Sequence, residues 1–326
     1  METRTLGTLW PVSSLTLGGG GLGQVWGQTS REEAVATMRA AVDAGITLID
    51  VAPSYGDGEA EEVVGEAFDG KLPDGVRVCT KHHVAHGNPG EVEVAMLWSL
   101  EESLRRLRLD HVDLYILHSQ ILPGPDPDRS TWTTSLALYE EAARSAFERL
   151  AEQGRIGAWG ITATQFPAVL ESVFAGDPAP QVAQMVANVL DSPGDMAWTD
   201  EPTSYRDLIR LAKESGVGVM GIRAVQAGAL TDSLDRSLER RHPARIDFER
   251  AAPLRALAAE LGESTAALAH NYALTMDGVD TVVLGVKNRD ELAECLRVAE
   301  LGPMPDDVRA RVEDVAAQIL NASEFR

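Results

Sequence analysis

The sequence predicts an α/β protein folded as a closed (β/α)8 TIM barrel, and three observations carry that expectation. Short apolar runs of strand length recur eight times along the chain, and helical stretches with one apolar face lie between them. The 326 residues exceed the roughly 250 of a typical eight-unit barrel by enough to supply loops and ends. Alternation of strand and helix implies a parallel sheet, because a parallel pair needs a long crossover connection. A doubly wound open sheet is the competitor, and it usually divides a chain of this length into two domains. No linker or low-complexity tract marks such a boundary. Residues 1–326 are therefore expected to form one barrel domain, with an N-terminal extension and elaborated loops on the face at the strands' C-terminal ends.

The first strand is Leu15-Thr16-Leu17. Gly18, Gly20 and Gly23 follow with the spacing of a dinucleotide-binding turn, but in that fingerprint the glycines lead directly into a helix. Here the next helix starts near Ser30, so the stretch is expected to be a loop. Over 31–44, Ala34, Val35, Met38, Ala41 and Val42 share one helical face, Ser30 with Glu33 forms a capping box, and Gly45 supplies the stop. Strand 46–50 follows and ends on Asp50. A helix near 58–68 precedes strand 76–81, and a helix near 91–108, with Met96, Leu100, Leu104 and Leu107 aligned, precedes strand 112–118. A helix near 139–153 precedes strand 156–161, and further strands are expected over 181–186, 217–222 and 281–284. Two irregular stretches, 122–129 and 191–203 with Trp198, would project from strand ends, where a barrel carries its binding loops.

Composition removes several functions. With 29 Lys+Arg against 50 Asp+Glu the formal net charge is −21, a field that repels a phosphate backbone and argues against nucleic-acid binding. No apolar run approaches the about 18 residues that a membrane-spanning helix needs. The start, Met1-Glu2-Thr3-Arg4, lacks the basic-then-apolar order of a secretory signal, and the two cysteines, Cys79 and Cys295, make no disulfide framework. The expectation is a cytoplasmic enzyme-sized protein, with an oligomeric state the sequence does not encode legibly. His82, His83 and His86 invite a metal reading, but no carboxylates stand at a spacing that completes a zinc shell. They read as loop histidines near an active site.

The chemical signal is scattered in sequence and regular in position. Asp50 ends one expected strand and Tyr55 follows in the loop; Lys81 ends the next strand and His118 the one after. Parallel barrel strands bring such ends to one rim. A free tyrosine titrates at about 10; a neighbouring ammonium favours its phenolate, and a carboxylate holds that ammonium charged and in place. An imidazole beside the phenol orients a carbonyl by hydrogen bonding. This set protonates a carbonyl oxygen while a second agent, usually a nicotinamide cofactor, delivers hydride to the carbon.

At these residues the sequence resembles the aldo-keto reductase superfamily. Gly45 to Gly56 is similar to the signature around that family's catalytic aspartate and tyrosine, and Glu62 through Gly65 continues it in the manner of E-x-x-x-G. Thr80-Lys81 resembles the family's T-K, and Asp113 to His118 its D-L-x-x-x-H. The resemblance implies a barrel that binds NAD(P)H across its C-terminal face without a Rossmann domain. Tyr55 would be the general acid/base, Lys81 its modulator, Asp50 the lysine's partner and His118 the carbonyl-orienting group. It also implies cofactor contacts at Gly18, Gly19 and Asp50, at Thr162 (with Ala163 in place of the usual Asn) and at Gln184. Ile222 would replace a stacking aromatic, Arg223 would stand where a small residue is usual, and Gly228 would lie in a loop over the pyrophosphate. Gly285, Lys287, Glu291 and Glu294 would lie along the adenosine loop. Lys287 with Arg289 favours NADP(H) over NAD(H), against the opposing carboxylates of Glu291 and Glu294. The activity implied is interconversion of a carbonyl (aldehyde, ketone or sugar) and an alcohol, the small-molecule substrate being the expected partner. Two rivals stand beside it: a cofactor-binding regulatory subunit with little turnover, and a phosphate-handling lyase or isomerase barrel, for which Gly285 is the sole pointer.

Overall fold

The computed structural model describes residues 1–321 apart from 86, 130, 165, 198–202 and 235. Eight parallel strands close into a barrel in chain order. They are β1 (Leu15–Gly18), β2 (Leu48–Asp50), β3 (Arg77–His82), β4 (Val112–Leu117), β5 (Ile156–Thr162), β6 (Val182–Val186), β7 (Gly218–Ile222) and β8 (Thr281–Leu284). Because β8 pairs back onto β1, the sheet has no edge and the open doubly wound alternative is excluded. The helices α1 (Arg31–Asp43), α2 (Glu59–Phe68), α3 (Pro89–Leu107), α4 (Arg144–Glu152), α5 (Pro167–Phe174) and α6 (Tyr205–Glu214) fill successive crossovers. Between β7 and β8 lie α7 (Pro243–Arg250), α8 (Ala252–Leu261) and α9 (Thr265–Thr275), and α10 (Arg289–Glu300) and α11 (Asp306–Asn321) follow β8. No helix among the described residues is long and apolar enough to cross a membrane.

Local chemistry explains the boundaries. Ser30 Oγ accepts the Glu33 amide at 3.2 Å to start α1, and Asn88 caps α3 through the Gly90 amide. The expected helix over 139–153 is divided: Tyr139–Ala143 forms a wider π turn before α4 begins. Strand 46–50 is shorter than expected. The Ile46 amide bonds back to Ala41 at the end of α1, and Thr47 is held by Ser13 through reciprocal amide–hydroxyl bonds of 2.9 Å.

Alternate strand positions point inward. Leu48, Cys79, Leu114, Ile116, Ala158, Val182 and Met220 form a buried cluster inside the barrel, separate from the larger core between strands and helices. The N-terminal extension is a hairpin, Thr3–Thr5 paired with Pro11–Ser13. Its Leu6 and Val12 join the inner cluster and stop the lower mouth. Only glycine fits at Gly7, where φ is +55° and a Cβ would stand 2.4 Å from the Gly218 amide nitrogen. Of the expected irregular stretches, 122–129 sits beside two short parallel strands, Gln120–Leu122 and Thr133–Ser135. The stretch 191–203 contains a 3-10 turn at Gly194–Met196, and its Trp198 lies outside the described residues.

One buried carboxylate ties α2 and α3 to β3. Glu61 has no exposed surface; it accepts from Thr80 Oγ1 at 2.5 Å and from Arg106 Nε at 2.6 Å. Nearby, Gly65 lets the helices touch: a Cβ there would lie 2.3 Å from the Arg106 carbonyl oxygen. Glu61→Ala leaves the mostly buried Arg106 guanidinium with only the longer 3.9 Å contact to Glu102 that the structure shows, and unfolding by urea should show a loss of about 3–5 kcal/mol. A loss below about 1 kcal/mol would mean that water replaces the carboxylate, as at an exposed pair.

Candidate active site

Asp50 closes β2, Lys81 is the penultimate residue of β3, and His118 is the first residue beyond β4, so all three stand on the upper rim. Asp50 and Lys81 occupy inward positions of adjacent strands, and the turns of 52–58 bring Tyr55 back over them. Lys81 is wholly buried, and its ammonium is saturated. Nζ donates to Asp50 Oδ2 at 2.9 Å, to the Val51 carbonyl at 2.9 Å and to Tyr55 Oη at 3.2 Å, one acceptor for each N–H. From across the barrel Gln184 Nε2 donates to the second Asp50 oxygen at 2.8 Å, so both carboxylate oxygens are held. The His118 ring meets the Tyr55 ring edge-on, centroids 5.8 Å apart.

Burial sets the protonation states. Loss of solvent raises the Tyr55 phenol above its ordinary value; the Lys81 charge opposes this and the Asp50 carboxylate adds to it. The ammonium alone would lower the phenol, as the sequence suggests, but desolvation outweighs it. Burial pulls Lys81 down, yet Asp50 and Tyr55 more than compensate, and its pKa lies above the ordinary lysine value. His118 is pushed well below the usual imidazole range by burial first, then by Lys81 and His83, so its ring is neutral. The phenol keeps its proton and the imidazole carries no charge.

The residues expected to meet a cofactor fall into two groups. Gly18 pairs with Asp50 in the barrel register, and the Gly19 amide donates to the Asp50 carbonyl at 2.7 Å. Thr162 ends β5 directly beside Gln184, and its Oγ1 is buried without a partner among the described residues. Ile222 ends β7, and Gly228, with φ +87°, closes the 3-10 turn Gln226–Gly228. Gly285 lies just past β8, under the Trp26 ring, which would approach a Cβ there to 3.5 Å. The charged positions are committed within the protein. Arg223 pairs with Asp195 at 2.7 Å. Lys287 pairs with Glu291 at 3.2 Å, while the Lys287 amide donates to the same carboxylate at 2.9 Å. Arg289 binds Glu33 of α1, and Glu294 accepts from Ser264 at the start of α9. Glu291 and Glu294 thus face different neighbours, Lys287 and Ser264 respectively.

Sequence reasoning missed three features. The glutamate four positions before Gly65 is Glu61, not Glu62; counting the E-x-x-x-G spacing from the glycine finds it, and it is the buried one bound to Thr80. Trp26 packs where a Cβ on Gly20 would stand 2.5 Å from its ring, a contact no local pattern announces. His83 stacks on His118, while His82 stacks on Tyr115 and His86 lies outside the described residues.

Comparison with known proteins places this rim in a context. The model of the aldo/keto reductase family matches residues 14–317. Methylglyoxal reductase YeaE of Escherichia coli K12 is 40% identical over 134 residues, 41% of this chain; the match spans only 40% of that relative's length. Among solved structures, the glycerol dehydrogenase of Gluconobacter oxydans superposes with a TM-score of 0.72 at 25% identity, covering 98% of this chain and 96% of that one. An aldo/keto reductase of Klebsiella pneumoniae in complex with NADP and acetate gives 0.69 at 24% identity, covering 96% and 95%, a likeness of fold. With a family match that runs from the start of β1 to the last helix, the chain belongs to the aldo/keto reductase family.

Proposed function

We propose that this protein is an NAD(P)(H)-dependent oxidoreductase that interconverts a small carbonyl compound and the corresponding alcohol. The observation that carries the reading is the saturated Lys81 ammonium, which joins Asp50 and the Tyr55 hydroxyl in one hydrogen-bonded set beside a neutral His118. The rim also suits a nicotinamide carboxamide. Thr162 Oγ1 and Thr164 Oγ1 are buried without partners among the described residues, two unmet hydrogen-bonding groups on one strand end. Thr162, Gln184 and Asp50 would hold that end of the cofactor, with Ile222 packing against the ring, while Gly18 and Gly19 let the neighbouring backbone and side chains close around Asp50. When bound, the cofactor supplies or accepts the hydride at the carbonyl carbon.

The chain's own residues handle the proton. Tyr55 Oη, protonated at neutral pH, gives its proton to the carbonyl oxygen during reduction and recovers it during oxidation. Lys81 stabilises the phenolate left behind, because its third N–H already points at Oη. Asp50 keeps the ammonium charged, and Gln184 keeps Asp50 in place. His118 donates a hydrogen bond to the carbonyl oxygen as a neutral ring. For the cofactor, we favour NADP(H): Lys287 sits beyond β8 on the expected adenosine loop, and charge-assisted bonds to phosphate are stronger than neutral ones. Its pairing with Glu291 weakens that preference without removing it.

Steady-state NAD(P)H oxidation against aldehydes, ketones and sugars tests the reading. Turnover should fall at least about 10²-fold in Tyr55→Phe, with the circular dichroism spectrum unchanged. Near wild-type rates in that variant would remove Tyr55 from the chemistry, and tight nucleotide binding without turnover would favour the regulatory subunit. Lys287→Ala should weaken NADP(H) binding at least about tenfold, close to 1.4 kcal/mol, and leave NAD(H) nearly unaffected. Equal losses for both nucleotides would show that Lys287 does not read the 2′-phosphate.

The neutral imidazoles also limit the fold in acid. Burial holds His82 and His83 down to about 4, each from an ordinary 6.5. The unfolded chain therefore binds protons on these rings first, and stability present above pH 6.5 is lost as pH falls toward 4. The urea midpoint should drop across that interval, and His82→Gln should flatten the drop. An equally steep fall in His82→Gln would assign it to other groups.

A further inference from the structure

Alternation along β3 turns Cys79, Lys81 and then position 83 toward the barrel axis; along β4 it does the same for Leu114, Ile116 and position 118. The parallel register pairs Lys81 with Ile116 and His82 with Leu117, so the next step sets His83 level with His118. The two imidazoles are stacked, centroids 4.4 Å apart and planes at 23°. Trp132, at the entry to the strand Thr133–Ser135, stands edge-on to His83 at 4.4 Å and 80°. Its own backbone is anchored, since the Trp132 carbonyl accepts the Gln120 amide at 2.9 Å.

A working imidazole is usually oriented by a hydrogen bond from the ring nitrogen not engaged in chemistry. His118 lacks that support: its Nδ1 is buried with no partner among the described residues, and neither nitrogen of His83 has one. Ring packing is what remains to fix the plane of His118. We infer that His83, braced by Trp132, is the positioning residue that holds the His118 imidazole at the angle it needs beside Tyr55. The inference rests on the carbonyl-orienting role proposed for His118. Stacked and offset rings at this separation attract one another. With both imidazoles neutral at physiological pH, no like-charge repulsion forces them apart. The contact depends on the face of a planar ring, not on the imidazole nitrogens. Phenylalanine therefore supplies the contact and alanine removes it.

The test compares wild type, His83→Ala, His83→Phe, His118→Ala and the double variant His83→Ala/His118→Ala, measuring kcat, KM and thermal midpoint with one good carbonyl substrate. A misaligned donor lost from the transition state lowers kcat and kcat/KM together. His83→Ala should lose roughly 10²-fold in kcat with KM little changed, and His83→Phe should recover most of that loss. In the His118→Ala background, removing His83 should add almost nothing, because the two residues act as a unit. Should His83→Ala unfold, Trp132→Ala takes its place and should show a smaller loss in kcat that also vanishes in the His118→Ala background. Equal losses in His83→Ala and His83→Phe, full activity in His83→Ala, or additive losses with His118→Ala would each overturn the inference. Wild-type turnover that depends on His118 but not on His83 would sink this inference alone. Absence of turnover with every carbonyl would sink the proposed function with it.

Discussion

A lysine ammonium sealed from water is the constraint around which the upper barrel is arranged. An unpaired ion in the interior costs several kcal/mol, so the chain must bring an acceptor to each of the three N–H groups of Lys81. Asp50 must end β2 where β3 passes, and the Val51 carbonyl must leave the ladder to face the same nitrogen. The segment beyond must turn back so that the Tyr55 hydroxyl becomes the third acceptor. Asp50 in turn needs its second oxygen satisfied, and only a strand from the far side of the barrel can do this, through Gln184. Closure of the sheet thus also completes the rim. The desolvation that makes the pair necessary also keeps the proton on the phenol and off His118.

A second layer supports the first from outside. Thr80 points away from the axis, next to Lys81, and donates to the buried Glu61, which Arg106 neutralises. The strand that presents the ammonium is therefore gripped by two helices through a charge pair on its opposite face. On the rim beyond β7 and β8 the cations are likewise paired. In a chain with net charge −21, Arg223, Lys287 and Arg289 all lie against carboxylates. An anion proposed to bind at these cations would have to compete with Asp195, Glu291 and Glu33 for them.

Much of the barrel was legible because strands buried on both faces read as unbroken apolar runs. Asp50, Lys81 and His118 stand out because each is polar at the end of such a run. The strand limits were less legible, since they depend on contacts made elsewhere: Ile46 is spent on the end of α1 and Thr47 on Ser13. The Lys287–Glu291 pair follows a spacing readable from one segment. The bonds of Arg289 to Glu33 and of Glu294 to Ser264 join separate helices, and no local pattern contains them. The same holds for His83, whose meaning lies in the strand register.

The hairpin beneath the barrel acts as an insulator. Leu6 and Val12 fill the lower mouth, and with Leu48, Cys79, Leu114 and Ile116 they form an apolar floor under the Lys81–Asp50 pair. Apolar side chains lie beneath that pair, so its field is screened chiefly from above. The barrel is therefore electrically one-sided. A charge placed at the rim interacts with the ammonium through a medium of low dielectric constant, and traffic of ions, protons and solvent has a single direction of approach.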